Sequence, residues 1–333
     1  MTECVDQTDR NSTCVQRDRN NGERQGFFIV GAPRSGTTLL RAMLNAHPHI
    51  AIPFEADLFS KMLSVPSPWE RTWARHESRA PIEQFLSHPA VRFWGVSVET
   101  VLEAMGQFER VGYPDIIQAI YQAYAMREGK PRWGDKTPIH ALEIPQLSRA
   151  FPQAQFIHLV RDGRDVYLSW TKLSQSMKGW EWAQGLDAAS GADKWQKRVW
   201  FAARHGRRLG ADRYYELWYE DLVRQPETTL QSVCRFLGER YDASMLRYYE
   251  HAEDLVPAKQ MRTMHAGLAS LPDPSRLFQW KVNMSAVDVR AFELKAGATL
   301  LQYGYAVSLA MRPRALVSLT AQCFRQRLKD WWE

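Results

Sequence analysis

Cysteine is scarce, with four residues in a chain of 333: Cys4, Cys14, Cys234 and Cys323. They form no C-x-x-C pair and no Cys/His cluster, which argues against a disulfide framework or a thiolate zinc site and for a reducing cytoplasm. Residues 1–25 lack an apolar h-region, so no signal peptide is read there. No apolar run approaches the length of a membrane span. Internal repeats are absent, and so is a dense Lys/Arg stripe, although the net charge is +6 and the pI about 9.1. Mild basicity favours anionic ligands without the footprint of a nucleic-acid binder.

With 45% hydrophobic residues the chain has enough apolar material for a sizeable core. Thirteen tryptophans leave two readings open, core packing or a groove for a ring-bearing acceptor. Residues 1–25 read as a disordered polar tail. The stretch from Arg312 to Glu333 reads as a basic amphipathic helix, docked on its own domain or touching a membrane surface or partner.

The chain is organised around Phe27-Phe28-Ile29-Val30-Gly31-Ala32-Pro33-Arg34-Ser35-Gly36-Thr37-Thr38-Leu39-Leu40. An apolar strand feeds a Gly/Pro/Ser turn, and Leu39, Leu40, Met43 and Leu44 then take helical spacing. A glycine-bearing loop that opens a helix presents backbone N–H groups and the positive end of the helix dipole to one anion. In the nucleotide loop G-x-x-x-x-G-K-[ST] a Lys reaches the outer phosphates. Here Gly31, Gly36 and Thr38 match, but Thr37 stands in the Lys position and the positive charge is Arg34. That suits a phosphorylated donor other than a nucleoside triphosphate.

Further candidates follow strand-like segments. Ile50-Ala51-Ile52 reads as a short strand and Glu55 comes just after it, at the edge where parallel sheets bind ligands. Residues 60–130 read as a helical insertion without a strong strand signal, with helical spacing near 81–89, 97–108 and 114–128. Lys136, in Arg132-Trp133-Gly134-Asp135-Lys136-Thr137-Pro138, falls at a strand end, with Thr137 as the cap of one helix holding Ile139, Leu142, Ile144 and Leu147. Phe156–Val160 is an apolar strand running into Arg161-Asp162-Gly163-Arg164-Asp165 and a helix that carries Ser169. Arg161 as a fork and Ser169 as a hydroxyl donor suit one phosphate. Asp162 imitates the Mg²⁺ aspartate of an ATPase strand, but Arg161 intervenes. Residues 174–191 read as a loop or lid, followed by a helix near 192–208. Tyr214–Tyr219 is a further strand, and helices follow from Pro226 and near 243–251. Residues 258–283 read as a long basic loop, and 285–302 as a helix.

Taken together, these residues resemble the PAPS-dependent sulfotransferases (PAPS is 3′-phosphoadenosine 5′-phosphosulfate). The resemblance runs from about Phe27 to Tyr305. Its carriers are residues 31–40, Gly-Asp-Lys-Thr-Pro at 134–138, Leu-Val-Arg-Asp-Gly-Arg-Asp at 159–165, the Arg161…Ser169 spacing and Tyr219-Glu220-Asp221-Leu222. The loop and Glu55 are most similar to the tyrosylprotein branch and its bacterial relatives. The resemblance implies an α/β fold, with a P-loop-type parallel sheet flanked by helices and the 60–130 insertion on the acceptor side. It implies a domain over 26–309, between the tail and the helix at 310–333. By it, Arg34, Ser35, Gly36, Thr37 and Thr38 form the 5′-phosphosulfate loop, and Arg161 and Ser169 hold the 3′-phosphate. Tyr219, Ser275 and Lys281 are further cofactor contacts. Glu55 is the general base, and Lys136, with Arg34, stabilises the transition state.

Sulfuryl transfer is an in-line displacement close to phosphoryl transfer, in which positioning and charge stabilisation do most of the work. PAPS is therefore the expected co-substrate, no metal is required and no metal ligand is assigned. A glutamate beside a polyanionic donor is expected to have a raised pKa, as suits a base; His140 and His47 are the alternative bases. The tyrosylprotein branch carries basic residues after its glutamate, whereas Ala56-Asp57-Leu58-Phe59 stand here. That departure and the missing secretory anchor put a hydroxyl on a sugar, lipid or small metabolite ahead of peptide tyrosine, and the cytoplasm ahead of the Golgi. A homodimer and weak membrane-surface contact are left open. The rival functions are a P-loop kinase or ATPase and a non-catalytic PAP-binding protein (PAP is the desulfated product).

Overall fold

The computed structural model describes residues 26–63, 71–176, 183–251 and 266–308. The tail, the C-terminal stretch, Trp180, Trp182, Arg262 and His265 lie outside the described residues. A five-stranded, all-parallel sheet has the order β2-β5-β1-β6-β7, with β1 (Phe27–Gly31) at its centre. The other strands are β2 (Ile50–Ala51), β5 (Arg132–Lys136), β6 (Gln155–Val160) and β7 (Tyr214–Trp218). β1 is apolar throughout because both faces of the sheet are covered. Alternate side chains serve the two faces: Phe28 and Val30 join one core cluster, Phe27 and Ile29 the other. Gly134 of β5 makes room for this packing, since a Cβ there would lie 2.6 Å from the Phe27 ring.

Helices α1 (Thr37–Asn45), α2 (Leu58–Leu63), α3 (Arg79–Leu86), α4 (Pro89–Arg92), α5 (Val98–Ala104) and α6 (Tyr113–Arg127) lie between β1 and β5 in the chain. The insertion is helical as expected, but it also holds a small antiparallel pair, β3 (Thr72–Ala74) with β4 (Arg110–Gly112). Strands of three residues are too short to show alternation in the sequence.

After β5 the expected single helix is broken into a 3₁₀ turn, Pro138–Leu142, and α7 (Ile144–Ala150). Pro145 in the first turn of α7 has no N–H to continue the earlier helix. Thr137 makes no side-chain cap; its hydroxyl donates to Asp135 at 3.1 Å. Next come α8 (Gly163–Ser176), α9 (Ala188–Gly206), α10 (Tyr219–Arg224) and α11 (Pro226–Leu237). α9 begins earlier than its apolar spacing indicates because Asp187 caps it, accepting from the Ser190 N–H at 2.7 Å. The expected helix near 243–251 is 3₁₀ turns kinked at Arg247. The described part of the expected basic loop is ordered into turns at 266–269 and 274–276 and α12 (Trp280–Asn283), followed by α13 (Ala286–Gln302). Trp94, Trp133, Trp170 and Trp195 are buried, so these tryptophans are core.

Candidate active site

Parallel strands deliver their C-terminal ends to one edge, and the candidate residues follow those ends. Arg34 follows β1, Glu55 follows β2, Lys136 ends β5, Arg161 follows β6 and Tyr219 follows β7.

The loop after β1 is closed by Ser35, whose N–H donates to the Ala32 carbonyl at 3.1 Å and whose hydroxyl bonds the same oxygen. The Ser35 side chain thus shapes the loop from inside rather than facing outward. Gly36 has φ 96°, and a Cβ there would lie 2.2 Å from the Tyr219 ring, so both backbone and space require glycine. Arg34 also adopts a left-handed φ of 72°, a conformation that costs about 1–3 kcal/mol for a residue with a Cβ. The strain turns its side chain toward α8, where Nε–H donates to Ser169 Oγ at 3.1 Å. At the start of α1 the N–H groups of Thr37 and Thr38 have no intrahelical carbonyl to bond.

Arg161 completes the cradle. Its Nη1 donates to the Arg34 carbonyl at 3.2 Å, and its guanidinium lies 4.5 Å from the Tyr219 ring centroid. Asp165 pairs with it at 3.4 Å, while its Nε is buried without a hydrogen-bond partner. Indole groups fix the frame: Trp170 donates to the Pro33 carbonyl at 2.9 Å and Trp195 to the Arg161 carbonyl at 3.2 Å. Burial, then the facing Arg161, pushes the Arg34 guanidinium down to about 10. Two cations held together under partial burial are stabilised by a shared anion.

On the other side, Lys136 forms an ion pair with Glu55. The Glu55 loop is fastened through its backbone. Arg41, fully buried on α1 and pushed down to about 10 by that burial, donates to the carbonyls of Ile52 and Pro53 at 3.1 and 3.0 Å. Asn45 Oδ1 accepts the Ile52 N–H at 2.8 Å, and the Trp94 indole donates to the Phe54 carbonyl at 2.8 Å.

Beyond Lys136 lies a buried histidine cluster that sequence spacing did not reveal. His140 Nδ1 bonds Asp135 at 2.9 Å, and Nε2 lies 3.4 Å from Asp57 and 3.5 Å from Glu143. Burial alone lowers its pKa, but the carboxylates of Asp135, Asp57 and Glu143 prevail and push it up to about 10. A base needs an open nitrogen, so this imidazole is a poor alternative to Glu55 in the metal-free protein. His47 is spent as well: Nε2 bonds the Arg240 carbonyl at 2.7 Å, and Nδ1 accepts the His49 N–H at 3.0 Å.

Asp162 does not take the place of an ATPase aspartate. Its carboxylate is fully buried and bonds the Arg164 guanidinium at 3.0 and 2.7 Å, with Glu293 on the same guanidinium at 2.7 Å. The late segment docks behind Arg161: Trp280 N–H donates to Asp165 at 2.8 Å and its ring lies 3.6 Å from the Arg164 guanidinium carbon. Lys281 is exposed, with Nζ 5.2 Å from the Phe278 ring centroid, and Ser275 is exposed with its N–H bonded to Asp273 at 2.9 Å. Neither is brought into contact with Arg34, Ser169 or Arg161 by a hydrogen bond among the described residues. Trp170, Asp165, Arg41 and Trp94 support the site without having been singled out. A tryptophan one residue after Ser169 was visible, but its partner, a carbonyl in a distant loop, was not.

The chain is similar to several known proteins. The chain is 26% identical over 231 residues to a putative protein-tyrosine sulfotransferase of Caenorhabditis briggsae, covering 68% of this chain and 70% of that protein. It is 29% identical over 226 residues to protein-tyrosine sulfotransferase 1 of Homo sapiens, covering 67% of this chain and 54% of the relative. The chain thus spans little more than half the length of several curated relatives it matches. Among solved structures, the sulfotransferase domain from the Synechococcus PCC 7002 olefin synthase aligns with TM-score 0.55 and 25% identity, covering 86% of this chain and 97% of that one. Residues 26–243, well over half of the chain, match the model described as the sulfotransferase family, and to that family the chain belongs.

Proposed function

We propose that the protein transfers the sulfuryl group of PAPS to an acceptor hydroxyl. The observation that carries this reading is the linking of Arg161 to the Arg34 carbonyl and of the Arg34 side chain to Ser169 at one sheet edge, with the Glu55–Lys136 ion pair on the other side of the same edge. Arg161 and Ser169 would hold the 3′-phosphate, and the Gly36–Thr38 turn the 5′-phosphosulfate. Tyr219 lies against both Gly36 and Arg161, as a further cofactor contact should. Ser275 and Lys281 have weaker support, because both are exposed side chains of the late segment.

In this reading Glu55 accepts the acceptor's hydroxyl proton as the oxygen attacks sulfur in line. The bond between sulfur and the bridging oxygen breaks, its electron pair goes to the 5′-phosphate of PAP, and Lys136 and Arg34 meet the charge that builds. The cations are already supplied by the chain, so the displacement itself needs no metal.

The names of the relatives favour a tyrosine phenol as the first acceptor to test, which reverses the order expected from the sequence. Asp57 is partly exposed two residues from Glu55, so peptides without acidic flanks suit this surface better than acidic ones. Calorimetric titration with PAP and with Mg·ATP separates the reading from its kinase rival. Tight PAP binding with no ATP binding is the expected result, and the reverse overturns it. Labelled-sulfate transfer from PAPS to neutral and acidic tyrosine peptides, glycans and small hydroxyl compounds then identifies the acceptor. PAP binding without transfer to any of them would favour the non-catalytic rival.

A further inference from the structure

We propose that Asp57, His140 and Glu143 form a binding site for a divalent transition-metal ion, with zinc the best fit. Three donor atoms converge there from three places in the chain: the Glu55 loop, the 3₁₀ turn after β5 and the residue just before α7. His140 Nε2 lies 3.4 Å from Asp57 Oδ1 and 3.5 Å from Glu143 Oε2. Two ligands bound at zinc's usual lengths and at the tetrahedral angle stand about 3.4 Å apart.

The three atoms are shielded from water and face one another at ion-pair distances, with no other side chain of the described residues bonded to them. His140 itself is 0% exposed. Nε2 is nearly equidistant from the two carboxylate oxygens, and a metal ion bound between the three would take the place of the imidazole proton.

The groups behind these atoms are arranged as metal sites arrange them. His140 Nδ1 bonds Asp135 Oδ1 at 2.9 Å, which leaves Nε2 as the coordinating nitrogen. Asp135 is held by the Tyr121 hydroxyl at 2.7 Å and the Thr137 hydroxyl at 3.1 Å. The second oxygen of Glu143 accepts from Ser60 at 2.8 Å. Phe28 and Phe59 pack edge-on to the imidazole, with centroids 6.4 and 5.3 Å away, and keep that side dry. Asp57, with 45% of its side chain exposed, provides the route of entry and space for a water as fourth ligand. Its φ of 49° is left-handed, a strain that bringing the carboxylate to the ion would offset.

An ion here would touch neither donor nor acceptor. It would tie the loop that carries Glu55 to the end of β5 that carries Lys136, and so set the spacing of the two. Cysteine patterns and Mg²⁺-loop patterns, on which the expectation of no metal rested, do not detect a carboxylate–imidazole site assembled by the fold.

The test uses the full chain, stripped with EDTA and titrated calorimetrically with zinc chloride in the absence of any sulfate donor. One zinc per chain is expected, with affinity at least 100-fold weaker in Glu143→Gln and in Asp57→Asn. Cobalt substitution should give the intense visible bands of a tetrahedral ion in the native chain only. Far-ultraviolet circular dichroism establishes that each variant is folded, and Asp57→Asn, at the partly exposed ligand, is the variant least able to disturb the core. Absence of zinc binding in the native chain overturns the proposal, as does binding that survives in the Asp57→Asn/Glu143→Gln double variant. Neither result bears on sulfuryl transfer, which is judged by PAP binding and transfer alone.

Discussion

Lys136 and Glu55 form one ion pair but differ in burial, with 6% and 36% of their side chains exposed. The buried lysine is held where a fixed positive charge is useful, and the more open carboxylate is the one an acceptor can reach. Glu55→Gln keeps the shape and removes the proposed base, so turnover should fall by about 10²–10⁴-fold while PAP affinity stays within about twofold. Arg161→Ala should do the opposite, weakening PAP by roughly 10–100-fold, as expected for losing a hydrogen bond to a charged group. Steady-state kinetics and calorimetry on the two variants check the division; a Glu55→Gln variant with near-normal turnover would remove Glu55 from the mechanism. The candidate residues could be named one by one, because Arg34, Glu55, Lys136, Arg161 and Tyr219 all follow or end strand-like segments. Their partners could not. Nothing near Ser169 in the chain indicates that it meets Arg34, and Asp57 pairs with a histidine far along the sequence.

The Glu55 loop is irregular and is held by side chains reaching its backbone. Trp94 anchors it from the helical insertion, so Trp94→Phe should leave the Phe54 carbonyl without its buried donor, at a cost of about 1–3 kcal/mol. Turnover should drop more than PAP affinity, because the loop carries the proposed base and not the proposed phosphate cradle. Denaturant unfolding, measured with kinetics and PAP titration on the same variant, reads this directly; equal losses in both activities would argue for a general unfolding effect. Elements marked by an apolar run or apolar periodicity, such as β1, β6 and α11, were readable from the order of residues alone. The broken segment after β5 was not, because Pro145 and the buried His140 turn interrupt a spacing that looks continuous. The β3–β4 pair escaped for lack of length.

Across the whole molecule, acid should unfold the protein through His158. This imidazole is fully buried on β6 with Nδ1 2.7 Å from the Tyr214 hydroxyl, and burial pushes it down to about 4, against Glu216, which raises it. Between about pH 6.5 and 4 the unfolded chain binds a proton that the folded chain does not. Stability from this group is therefore full above about 6.5 and falls by about 1.4 kcal/mol per unit as the pH drops toward 4. His140 contributes with the opposite sign in the metal-free protein: raised to about 10, it favours folding at low pH and loses that contribution as pH rises through its own value. Urea midpoints from pH 7 to 4.5 should fall steeply in the native chain and less in His158→Gln. Parallel curves would show that another group governs acid unfolding.

Sequence alone determined the parallel α/β architecture, since near-continuous apolar runs such as Phe27–Val30 and Phe156–Val160, broken only by His158, occur when both faces of a sheet are buried. It also marked the loop after β1 as a candidate anion cradle, because the glycine spacing and Arg34 without a loop lysine are local facts. What only the tertiary structure decided is the company these residues keep. The stacking of Arg161 on Tyr219, the fastening of Glu55 by Arg41 and Trp94, and the meeting of Asp57, His140 and Glu143 all join positions far apart in the chain. Periodicity reports which face of an element is buried; it carries no information on which distant side chain arrives there, and that is settled by the strand order and by packing at the sheet's edge.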